Sequence, residues 1–95
     1  MSSFIYCADY ILIKADHGCK SDDIELGESS SLKECADACT NMEECKFFIY
    51  GKDGNHGSCY WEKTLNSSCV EGWEEDQYDF YELTASKISF YHCNL

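Results

Sequence analysis

The sequence predicts a small α+β domain in which one helix packs on an antiparallel sheet and disulfides staple the whole. Three observations predict it. The chain has 95 residues and 8 cysteines, about 8% of the total and near the density of a disulfide scaffold. One segment with helical spacing, near residues 31–41, stands among runs of aromatic and β-branched residues that read as strands. The order strand, helix, strands is that of an α+β domain. At this length only roughly 60–65% of the unfolded surface is buried on folding, so the core is marginal and disulfides are the usual remedy. Residues 1–95 are therefore read as one domain.

Residues 4–14 are aromatic and β-branched and predict an opening strand or strand pair. Residues 22–26, ending before Gly27, predict a short strand, and residues 28–30 a loop. Ser31-Leu32-Lys33-Glu34 fits a capping box, with Ser31 as the cap and Glu34 reaching back to it. Leu32, Cys35, Ala36, Cys39 and Met42 then fall on one helical face, which should pack on a sheet. Residues 47–50 read as a strand bounded by Gly51. Residues 51–57 hold three glycines and an Asp-Gly pair, the signature of a hairpin loop. Residues 58–62 return as a strand, residues 65–72 are a loop, and residues 78–83 and 88–93 are closing strands. The chain contains no Pro, so its turns rely on Gly, Asn, Asp and Ser.

Charge narrows the partners. Seven Lys and Arg against 18 Asp and Glu leave a formal net charge of −11. Nucleic acid and anionic membrane surfaces both call for surplus Lys and Arg, so both are poor fits. The apolar runs at residues 10–13 and 47–50 are far short of the roughly 20 residues of a transmembrane helix. Aromatics make up 15% of the chain, against intrinsic disorder.

Eight cysteines allow 105 pairings, and spacing alone does not choose among them. Cys35 and Cys39 lie at i, i+4 on one helix face with nearly parallel Cβ vectors, which disfavours a bond between them. A four-thiolate zinc site at Cys35, Cys39, Cys45 and Cys59 is the competing use, weakened because no Cys-x2-Cys pair is present.

The run Cys35-Ala36-Asp37-Ala38-Cys39, then Cys45 with Phe48 and Tyr50, then Cys59-Tyr60, resembles the PAN/apple domain family. That family has a helix carrying two cysteines four apart, a third before an aromatic strand and a fourth on the next strand. The resemblance covers residues 11–83. It implies the pairs Cys35–Cys59 and Cys39–Cys45, tying the helix to the central hairpin. Apple domains often add a bridge between the terminal strands; Cys19–Cys69, with Cys7–Cys93 outside it, would fill that place here and departs from the plain pattern. The resemblance also implies a non-catalytic interaction module for protein or glycan ligands, an expectation from fold analogy alone.

The remaining features are weighed against plainer uses. Residues 71–79 hold Trp73, Glu74, Glu75, Asp76 and Tyr78. They read as a docking patch for a basic protein surface, as a calcium site without the EF-hand spacing, or as a solvated acidic loop whose Trp joins the core. Asp22, Asp23, Glu25 and Glu28 form a second acidic group; if the two meet, one side becomes strongly negative. Asn66-Ser67-Ser68 is an N-glycosylation sequon in an expected loop. His17, His56 and His92 stand among turn and strand residues and are read as exposed or locally bonded. The 14 aromatic residues (7 Tyr, 5 Phe, 2 Trp) exceed what one small core needs, which fits either a recognition surface or cross-strand pairs. No nucleophile, metalloprotease or phosphate-loop motif is present, so no enzyme, metal or cofactor is expected.

The expected function is an interaction module that binds protein or glycan. The alternative is a small structural linker that stabilises a larger assembly. Paired cysteines imply an oxidising compartment, extracellular or within an organelle lumen. Met1-Ser2-Ser3-Phe4 lacks the basic and apolar regions of a leader, so either a leader has been removed or the domain has been excised from a longer chain.

Overall fold

A computed structural model describes residues 9–84 and the backbone pairing of residues 5–7 and 86–88. In chain order the elements are β1 (Ile5–Cys7), β2 (Tyr10–Lys14), β3 (His17–Cys19), β4 (Asp23–Glu28), α1 (Leu32–Thr40), β5 (Phe47–Gly51), β6 (Ser58–Glu62), β7 (Trp73–Glu75), β8 (Tyr78–Leu83) and β9 (Ser86–Ile88). The fold is α+β, with one helix and antiparallel strands throughout the described residues.

Five strands form the main sheet in the order β2-β8-β5-β6-β4. Period-two alternation gives it two apolar faces. Phe48, Cys59, Tyr81 and Trp61 turn to the helix, meeting Cys35, Ala36 and Cys39. Phe47, Ile49 and Phe80 turn the other way, to Cys19, Cys69 and Trp73. That second face is covered by a two-stranded ribbon, β3 against β7. The domain is thus helix, sheet and ribbon in three layers. Phe48 stacks on Tyr81 at 5.3 Å and Phe47 on Phe80 at 5.6 Å, so adjacent strands lock register on both faces.

The helix begins at Ser31, whose Oγ accepts from the Glu34 backbone N–H at 3.2 Å. The return half of the expected capping box is displaced. Glu34 Oε1 accepts from the Ser30 N–H at 2.9 Å, one residue before the cap. The cap of Ser31 is extended backbone (φ −152°, ψ 161°), and the reach of the Glu side chain takes it to the preceding donor.

The strand expected at residues 22–26 runs on to Glu28, with a register shift between Glu25 and Gly27, where Gly27 takes φ 101°. Residues 53–55 inside the hairpin loop form a turn of 3-10 helix. The ribbon strands β3 and β7 were not expected, and β7 replaces the front of the acidic loop. The last closing strand is described only as β9; the residues beyond Ile88 and the expected Cys7–Cys93 bridge lie outside the described residues.

Three disulfides form: Cys35–Cys59, Cys39–Cys45 and Cys19–Cys69. The first ties α1 to β6. The second closes the chain between α1 and β5. The third bolts the ribbon strand β3 to the loop that leads into β7.

Candidate functional site

The ribbon sets the position of the acidic tract. Its register pairs Cys19 with Trp73, Gly18 with Glu74 and His17 with Glu75. Gly18 is buried, and a Cβ there would come within 2.8 Å of Asp76 Oδ2, the tip of a side chain that would have to turn aside. Gly72 enters β7 at φ 112°, while its carbonyl accepts from the Lys20 N–H at 2.9 Å. A side chain is strained at that φ.

The expected residues of the tract divide between core and solvent. Trp73 is half-buried, edge-on to Phe80 at 4.9 Å, with Lys14 Nζ 5.7 Å from its ring centroid. Tyr78 is half-buried, edge-on to Tyr60 at 6.0 Å. Glu74 and Glu75 are exposed. Asp76 is half-buried, and its Oδ1 accepts from the Tyr78 N–H at 3.0 Å. Burial, with Glu74 and Asp79 nearby, raises its pKa against that hydrogen bond.

The two acidic groups converge. They meet around Glu62, the last residue of β6, paired in register with Asp23 on β4. Glu62 is 1% exposed. Strand alternation places it on the ribbon side, opposite to Trp61. Ser21 Oγ donates to its Oε1 at 2.9 Å. Burial pushes its pKa up to about 8; the Ser21 bond opposes the rise, and the charges of Asp23, Asp76 and Glu74 add to it. Burial also raises Asp23, with further repulsion from Asp22 and Glu74. Glu62, whose burial favours the neutral form, therefore sits beside the exposed carboxylates of Asp22, Asp23 and Glu74.

A separate clamp neutralises part of the tract. Lys52 Nζ lies 2.6 Å from Asp16 Oδ1 and 2.8 Å from Asp79 Oδ1, and the Asp16 N–H donates to Asp79 Oδ1 at 2.8 Å. The Lys52 hydrogen bond and charge hold the Asp16 carboxyl below its usual range. This ties the turn before β3, the hairpin loop and β8 together.

Metal-binding atoms are scarce. Among the described residues, the one group of His, Cys, Asp and Glu with ligand atoms within 4.8 Å of one another is Cys19, Cys69 and Glu71, and those two sulfurs are bonded to each other. The four cysteines considered for zinc are likewise bridged and offer no thiolate. Among the histidines, His17 Nδ1 lies 2.9 Å from the Ala15 carbonyl and His56 is exposed; His92 lies outside the described residues.

Asn66 is exposed in the loop before β7. Its Oδ1 accepts from the Ser68 N–H at 3.0 Å.

The sequence did not single out Glu62, Ser21 or Lys52. Glu62 closes a strand and looks like a solvated carboxylate. The one signal in the chain is its parity with Tyr60, which marks a shared face without saying that the ribbon covers it.

A family model described as PAN domain matches residues 19–61, just under half of the chain. The matched span holds Cys35, Cys39, Cys45 and Cys59, with α1, β5 and most of β6. No curated protein and no solved structure matches the chain.

Proposed function

We propose that this chain, whose residues 19–61 match a PAN domain model, is a non-catalytic interaction module whose acidic face docks a basic protein surface in an oxidising compartment. The observation that carries this is the convergence of Asp22 and Asp23 with Glu74 around the buried carboxyl of Glu62. Carboxylates that repel one another gain when a cation arrives. Such a face steers a positive partner and accelerates encounter, with an effect that salt screens. Trp73 fixes β7 through Phe80, and Tyr78 at the start of β8 packs on Tyr60. PAN domains bind proteins or carbohydrates; a glycan remains the other ligand class for this family. The three disulfides fit an extracellular or lumenal site, and no helix among the described residues is long and apolar enough to cross a membrane.

The test uses soluble polylysine as a stand-in for a basic protein surface, with the oxidised full chain. Neutralising Asp22, Asp23 and Glu74 together as Asn, Asn and Gln should weaken binding and flatten its salt dependence. Neutralising Asp9, Glu43 and Glu82, an equal change of charge elsewhere, should do so far less. Equal losses in the two variants would overturn the assignment to this face.

A second reading has its own observation. β2 is an edge of the main sheet, and Ile11 and Leu12 on it are 49% and 53% exposed. An apolar open edge fits a linker subunit that pairs with a neighbour in a larger assembly. The native mass of the endogenous chain, in a gentle extract without reductant, separates the two. Migration near one free chain supports the recognition module, and migration within a far larger complex supports the linker.

A further inference from the structure

The face of β6 opposite Glu62 carries a feature of the other charge. A surface cleft of about 120 Å³ is lined by Glu44, Lys46, Trp61, Lys63, Thr64 and Leu65. Trp61 is half-buried at its wall, with Lys63 Nζ 5.3 Å from its ring centroid. Leu65 stands at the rim and is 90% exposed. In a chain of net charge −11 with seven Lys and Arg, two of the lysines converge here. Among the described residues the ion pairs are made by Lys33 and Lys52, and neither Lys46 nor Lys63 has a carboxylate partner.

We infer that this cleft is a second docking site, which takes an acidic-apolar segment of a partner protein: one apolar side chain against Trp61 and Leu65, with a neighbouring carboxylate between Lys46 and Lys63. The inference rests on the interaction-module reading and extends it to a different face and an opposite charge. Three observations select this occupant. The volume suits one side chain, since an apolar cavity of about 150 Å³ holds a benzene-sized group. A fully exposed Leu beside a Trp is the composition of a protein contact, where a desolvated apolar anchor carries the energy and charges at the rim give register. Two unpaired ammonium groups against the single carboxylate of Glu44 leave a local positive charge, complementary to an acidic segment.

The site is tested on the ¹⁵N-labelled, oxidised full chain. The probes are a capped Glu-Leu-Asp tripeptide, its Gln-Leu-Asn counterpart and sodium glucuronate. The acidic peptide should give saturable shifts at the Trp61 indole N–H and the amides of Lys63 and Leu65. The neutral peptide should bind at least about tenfold more weakly, as should the acidic peptide to the K46Q/K63Q variant, because a charge pair is lost in each case. Both lysines are exposed, so an unchanged spectrum elsewhere will verify that variant's fold. Absence of saturable shifts, equal binding of the two peptides, or a response to glucuronate alone would each overturn the inference. Any of these outcomes, with polylysine binding at the acidic face intact, would leave the interaction-module reading standing.

Discussion

Replacing Glu62 with Gln offers the sharpest test of the arrangement at the acidic face. The carboxyl is 1% exposed, and its pKa rises from 4.5 to about 8 through burial. The folded state therefore holds a proton that the unfolded chain releases above pH 4.5 or so. The neutral group's full contribution to stability is present below the unfolded value and is lost as pH rises through the folded one. At about 1.4 kcal/mol per pH unit, the loss reaches about 3 kcal/mol at pH 7 and levels off near 5 kcal/mol above pH 8. Gln has the same shape, keeps an oxygen to accept from Ser21 Oγ and does not titrate. Its amide hydrogens add a cost that is constant with pH, so the slope carries the information. The assay is denaturant unfolding of both proteins, disulfides intact, in steps from about pH 5 to pH 9. The stability of E62Q relative to the native chain should rise by about 1.4 kcal/mol per pH unit to about pH 8 and then stay flat. A difference independent of pH, or one that grows toward acid, would refute the buried neutral carboxyl.

Other perturbations probe the staples and the ribbon. Removing Cys35 and Cys59 together opens a bridge of sequence separation 24, against 6 for Cys39 and Cys45; chain entropy gives costs of about 3.5 and about 2.2 kcal/mol, so unfolding midpoints should fall in that order. Gly18→Ala places a Cβ 2.8 Å from Asp76 Oδ2 and should cost about 1 kcal/mol as Asp76 turns aside and loosens its bond from the Tyr78 N–H, read as a lower thermal midpoint. Expressed through a secretory pathway, the chain should carry an N-glycan at Asn66 that N66Q abolishes; equal masses of the two products would refute its use.

The helix was legible because its signals are local. Ser31 as cap and the spacing of Leu32, Cys35, Ala36 and Cys39 all lie within three turns. The hairpin was legible for the same reason, since its glycines and Asp53-Gly54 sit between two aromatic strands. The ordered cysteines from Cys35 to Cys59 carried the family resemblance, because bridge geometry ties residue spacing to helix and strand positions.

The ribbon was not legible. Strands of three residues, His17–Cys19 and Trp73–Glu75, carry too little periodicity to register. Their pairing is decided by the Cys19–Cys69 bridge and by Phe80, distant in sequence from Cys19. The burial of Glu62 follows from that pairing. Alternation along β6 assigns Glu62 to a face, but only a covering layer turns a surface carboxylate into a buried neutral acid. The same holds for charge. The sequence by itself determined an acidic, disulfide-stapled α+β domain of the PAN/apple type. Only the tertiary structure decided that two acidic segments meet on one face of β6 while Lys46 and Lys63 meet on the other, because electrostatic neighbours are set by distance through space and not by spacing along the chain.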